Sequence, residues 1–168
     1  MGCLEKLEAE VEINSPASKL HQTFHARPYH MCNASPNKLQ SCKLLEGEWG
    51  KIGSVLLWNF VHDGKTCVSK ELIEAIDEEN NLVTFKVLEG DILKDHKSFK
   101  ITMQGIPKGK EKSVVHWTLE YEKKHDKLIP NSYESSVMQL CVDVAKDLGA
   151  HLVKMESNQE ALLSSVAA

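Results

Sequence analysis

The chain has 168 residues and a formal net charge of −4, from 20 Lys and Arg against 24 Asp and Glu. That is the size of one ordinary domain, and basic residues scattered singly over an acidic background exclude a phosphate-backbone binder. At 42% hydrophobic residues a sizeable core is affordable, which excludes global disorder, and no apolar run is long enough to span a membrane.

Residues 4–13 place Leu7, Ala9, Val11 and Ile13 on one parity and Glu8, Glu10 and Glu12 on the other, the pattern of a half-buried strand. Asn14-Ser15-Pro16 ends it and starts a short helix over 16–25, with Leu20 and Phe24 one turn apart. Pro28 stops that helix, and a second helical turn is expected over 29–34, before Pro36. Strands follow at 39–46, 54–61, 66–76, 82–89, 95–104 and 112–123, separated by glycine- and Asp/Asn-rich turns such as Asp63-Gly64. Over 131–157 the period changes: Val137, Leu140, Cys141, Val144, Leu148, Leu152 and Met155 recur every three or four residues, which predicts a long amphipathic helix. Residues 158–168 are weakly patterned and are expected to form a loosely ordered tail behind a single domain over 1–157. One curved antiparallel sheet of seven strands wrapped around one long helix satisfies this order, so the fold class is α+β.

The first residues lack the basic flank and apolar core of a signal peptide, so a cytoplasmic protein with free thiols is expected. The five cysteines have no C-x-x-C spacing, which argues against a disulfide framework or a thiolate zinc site. Gly2-Cys3 suggests acylation, but Lys6 stands where the myristoylation pattern wants Ser or Thr. His21 and His25, one helical turn apart, have metal-ligand spacing without the H-E-x-x-H glutamate, and no metal is assigned. The loop from Gly47 to Gly53 joins two strands rather than opening a helix, so it reads as a glycine-rich hairpin turn and not a phosphate cradle. No G-x-S-x-G occurs, and no cofactor is expected.

Several stretches resemble the plant major latex proteins, a branch of the birch-pollen-allergen superfamily of pathogenesis-related proteins. They are Glu46-Gly47-Glu48-Trp49-Gly50 with Gly53, the run from Trp58 to Lys65, Lys70-Glu71 before Ile73-Glu74-Ala75-Ile76-Asp77, Glu89-Gly90-Asp91, Lys97-Ser98-Phe99-Lys100 and the run from Trp117 to Lys123. His96 departs from the pattern, since many relatives carry tyrosine before Lys97-Ser98. The resemblance implies a seven-stranded sheet gripping a long carboxy-terminal helix, two short helices forming a V, and a cavity for hydrophobic small molecules between sheet and helix. Trp49 is expected at the mouth of that cavity.

Strand parity then selects the residues facing the helix: Leu56, Trp58 and Phe60; Val68 and Leu72; Val83, Phe85 and Val87; Phe99, Ile101 and Met103; Val115, Trp117, Leu119 and Tyr121. The helix contributes Leu140, Cys141, Val144, Leu148 and His151. Without the resemblance all of these would read as plain core. A dry cavity of about 300 Å3 or more would cost on the order of 7 kcal/mol, so polar wall groups are expected. Lys70, Lys97, Tyr121 and His151 fall on the inward parity, with His96 added if its strand twists.

The expected function is the carrying of hydrophobic metabolites (sterols, terpenoids, flavonoids, hormones or alkaloids) in defence or stress, by a monomer without a nucleic-acid partner. The alternative is an isomerase or cyclase of specialised metabolism in the same cavity, with His151, Tyr121, Lys97 and His96 as proton-transfer candidates.

Overall fold

Alternating glutamates and apolar residues make Leu4–Ile13 a strand, β1, and Pro16 opens helix α1 (Ala17–Ala26). A 3-10 turn (Pro28–His30) runs into the single-turn helix α2 (Met31–Ala34). Six further strands follow: β2 (Leu39–Glu46), β3 (Val55–His62), β4 (Lys65–Asp77), β5 (Leu82–Gly90), β6 (His96–Pro107) and β7 (Ser113–Lys123). Helix α3 (Ser132–Ala167) closes the chain. This is a computed structural model and describes residues 3–124 and 132–167, with the backbone alone for Ser132 and Ala167.

The strands form one antiparallel sheet in the order β1-β7-β6-β5-β4-β3-β2. The first and second strands in sequence therefore lie at opposite edges, and the connection through α1 and α2 carries the chain across. Bulges at Leu39/Ser41, Leu44/Glu46, Lys70/Glu71, Ile73/Ala75 and His96/Ser98 sharpen the twist that curves the sheet around α3. One face carries the core, including Leu20, Phe24, Leu56, Ile73, Phe99, Met103, Leu119 and Leu148. The other face is charged, and its His116 lies 3.1 Å from Glu8 and 3.0 Å from Glu10.

Two close approaches hold helices to the sheet, and a polar cluster anchors α3 further. Gly149 of α3 meets Ile13 where a Cβ would stand 2.4 Å from its methyl, and Gly105 of β6 lies against Ala17 of α1. Asp147 of α3 accepts hydrogen bonds from Ser35 at 2.6 Å and Lys38 at 2.8 Å, tying the helix to the segment between α2 and β2.

The elements expected over 4–13, 16–25, 29–34 and 39–123 are all present, with ends shifted by at most a few residues. The sharpest difference is at the carboxy terminus. The apolar repeat stops near Met155, yet α3 runs on to Ala167, because Gln159 to Leu163 are good helix formers and no proline or glycine interrupts them. That last stretch is fully exposed, with Leu162, Leu163 and Val166 all in solvent. The predicted helix start at Asn131 lies outside the described residues. All five cysteines are free.

Candidate functional site

Between the concave face of the sheet and α3 lies a cavity of about 100 Å3. Trp58 and Phe60 of β3, Phe85 of β5, Ile101 of β6, Trp117 of β7 and Leu140, Cys141 and Val144 of α3 line it, all from the predicted inward set. Phe24, Met31, Leu39, Ile92 and Val137 complete the apolar wall. The short helices and the turn before β6 thus close the ends that the strands leave open.

The volume is about a third of the size expected for a ligand cavity. Left dry, it costs only about 2 kcal/mol at roughly 24 cal/mol per Å3. By a measure in which one water needs about 10–15 Å3, it holds several waters or one compact ligand.

The charged wall group is Glu71, on the parity opposite to the expected inward residues Val68, Lys70 and Leu72. Hairpin geometry puts it inside. The two-residue turn Asp63-Gly64 pairs His62 with Lys65, and the same register sets Trp58 opposite Ser69 and Leu56 opposite Glu71. Directly opposed residues of an antiparallel pair share a face, so Ser69, Glu71 and Ile73 point inward. Val68, Lys70 and Leu72 therefore point outward, a correction to the predicted wall, and Val68 is 40% exposed. The hydrophobicity of Val68 and Leu72 misled, because β4 spends part of its inward face on a serine and a carboxylate. The turn would have given the right parity.

Glu71 is 7% exposed and accepts one hydrogen bond, from Ser69 Oγ at 2.7 Å. Burial in an apolar wall pushes its carboxyl up to about 7, only partly offset by that hydrogen bond. Burial, and then the charge of Glu71, push the Cys141 thiol up to about 12, so it stays a neutral apolar group. Trp117 Nε1 is buried without a hydrogen-bond partner among the described residues.

The four predicted proton-transfer residues do not converge on the cavity, and of them His96 and Tyr121 meet, with ring centroids 5.7 Å apart. Lys97 is corrected outward: the bulge at His96/Ser98 inserts one residue, turns His96 inward and sends Lys97 to solvent, where it meets Glu122 at 3.7 Å. His151 is half-buried on α3, beyond the lining residues, and Leu148 is fully buried core. Leu56, Val83, Val87, Phe99, Met103, Val115, Leu119 and Tyr121 are buried as predicted, in the core around the cavity rather than in its lining.

His96 instead joins a second buried polar cluster at the start of α3. Its Nδ1 lies 2.8 Å from the carbonyl of Ile92, which can only accept, so this nitrogen carries a proton. Its Nε2 shares another proton with Glu134 Oε1 at 2.8 Å, and Lys123 Nζ stands 4.0 Å from the same oxygen. The rings of Phe99, Tyr121 and Tyr133 surround the imidazole. This cluster pins the first turn of α3 to β6 and β7.

The remaining polar candidates are structural. The His21 and His25 rings lie 4.4 Å apart, and His21 Nε2 contacts the carbonyl of Leu82 at 2.9 Å. Among the described residues no three His, Cys, Asp or Glu could hold a metal. In the glycine-rich loop, Ser54 Oγ accepts from the Glu48 N–H at 3.0 Å, and Trp49 packs edge-on against Tyr29 rather than standing free. No helix is long and apolar enough to cross a membrane among the described residues.

The chain is similar to known proteins over nearly its whole length. The model of the pathogenesis-related protein Bet v 1 family matches residues 3–155. MLP-like protein 31 of Arabidopsis thaliana is 49% identical over 152 residues, covering 90% of this chain and 87% of that protein. The crystal structure of major latex-like protein 151 from Panax ginseng superposes with a TM-score of 0.82 at 38% identity, over 88% of this chain and 97% of that one. A norcoclaurine synthase from Thalictrum, solved with a transition-state analogue, shares the fold alone, with a TM-score of 0.67 at 19% identity over 90% and 97% of the two chains. With a family model matched over residues 3–155 and a seven-stranded curved sheet, two short helices after the first strand and a long carboxy-terminal helix that match its fold neighbours, this chain belongs to the Bet v 1 family of pathogenesis-related proteins, on its major latex protein branch.

Proposed function

We propose that the protein binds and carries small hydrophobic molecules in the cavity between sheet and α3, in a defence or stress setting and in the cytoplasm. The observation that carries this is an apolar, aromatic-rich cavity between the concave face of the sheet and α3. Its size suits a compact terpenoid or phenolic better than a sterol, which would require α3 to move off the sheet. Family membership supports the reading. Saturable displacement of a neutral polarity-sensitive dye by such compounds, lost in Val144→Trp, is the expected outcome. Displacement unaffected by filling the cavity would overturn it.

One observation favours a second reading, an isomerase or cyclase. Glu71 is a buried carboxyl poised near neutrality inside the cavity, which suits it to give and take a proton. The catalytic candidate on this reading is Glu71 rather than Lys97 or His151, and conversion of a carbonyl substrate panel should vanish in Glu71→Gln.

A further inference from the structure

The cavity lining contains one carboxyl, and among the described residues no cation answers it. Glu71 forms its one hydrogen bond with the Ser69 hydroxyl and no ion pair, while its neighbour Lys70 turns outward to Glu89 at 3.5 Å. The other polar groups of the lining, the Cys141 thiol and the indole N–H groups of Trp58 and Trp117, bring no positive charge. Five of the lining side chains are aromatic: Phe24, Trp58, Phe60, Phe85 and Trp117. Two of these lie diagonally across the strands from Glu71. Glu71 pairs with Leu56 across β3 and with Val87 across β5, so Trp58 and Phe85 occupy the diagonal positions on the same face.

A carboxylate beside aromatic faces is the recognition chemistry of an organic cation. The ring faces attract positive charge, and the carboxylate accepts charge-assisted N–H bonds. We propose that the cavity selects a protonated amine on a compact apolar frame, with the ammonium against Glu71 and the frame against the aromatic wall. This rests on the cavity-binding reading above and names the ligand class within it. An alcohol could donate one hydrogen bond to Glu71 but would leave its charge uncompensated. A carboxylic acid would place two carboxylates in one apolar space. For the amine the unfavourable half is already met, because folding itself takes Glu71 out of water and only the ligand remains to be desolvated.

The test is calorimetric titration of the full chain at pH 8, where Glu71 carries its charge, with three ligands on one frame: cyclohexylmethylamine, cyclohexylmethanol and cyclohexanecarboxylate. The amine should bind at least about tenfold tighter than the alcohol, as expected for a hydrogen bond to a charged partner, and the carboxylate weakest. In Glu71→Gln the amine should lose about tenfold or more while the alcohol changes by less than about threefold. An alcohol that binds as well as the amine to the unaltered protein overturns the inference whether or not the variant folds. So does an amine indifferent to Glu71→Gln. If none of the three binds while dye displacement succeeds, the amine assignment falls and the cavity reading stands. If both fail, both fall.

Discussion

Glu71 sets the wall chemistry and also opposes folding. Its carboxyl ordinarily titrates at 4.5 and is pushed up to about 7 in the fold by burial. The folded state therefore binds more protons than the unfolded state between those values, and stability falls as pH rises through that window. Above pH 7 the full penalty is present, about 3 kcal/mol. Glu71→Gln keeps an acceptor for Ser69 and removes the charge. It should be more stable than the parent by about that amount at pH 8 and equal to it below pH 4.5, in urea melts at the two pH values. The cluster at His96 predicts the opposite sign. His96→Ala leaves Glu134, which is 1% exposed and has one oxygen without a hydrogen-bond partner among the described residues, without its imidazole. A loss of about 2 kcal/mol is expected, partly recovered when Glu134→Leu is added, because the buried carboxyl loses its hydrogen bond and keeps the longer contact to Lys123 Nζ at 4.0 Å. A single-variant loss below about 1 kcal/mol in denaturant unfolding would contradict this.

At the scale of elements, turns and bulges decide what the strands present. Gly90 ends β5 at φ +133°, and a Cβ there would sit 2.2 Å from the carbonyl oxygen of Val68 on β4. Gly90→Ala should therefore cost on the order of 3 kcal/mol by chemical denaturation, since a backbone atom cannot move aside as a side chain can. A substitution tolerated without loss would show that β4 and β5 can separate at this end. The same local rules explain what could be read in advance. Strands β5 and β7 alternate well enough for their inward sets to follow from hydrophobicity, and on β3 the larger Leu56, Trp58 and Phe60 share the inward parity. On β4 hydrophobicity points the wrong way, since the inward Ser69 and Glu71 alternate with the outward Val68 and Leu72. The register fixed by the Asp63-Gly64 turn is the stronger signal there. On β6 no periodic argument survives, because the bulge beside Lys97 changes parity within the strand, and a bulge leaves little trace in one sequence.

For the whole molecule, element order and turn chemistry lead directly to seven strands around a helix. The size of the cavity does not follow from them. It depends on how closely α3 packs, and that is set by contacts such as Gly149 against Ile13 and Asp147 against Ser35 and Lys38, which join residues far apart in sequence. Those contacts seat the helix low enough to leave about 100 Å3, a space the fold can carry empty and a compact apolar molecule can fill. The most direct test of that claim is native mass spectrometry of the full chain after incubation with an extract of its own tissue, with Val144→Trp alongside. The account predicts a recurring small-molecule adduct on the unaltered protein, released on denaturation and absent from the filled variant. An adduct of equal abundance on both proteins, or none on either, would contradict it.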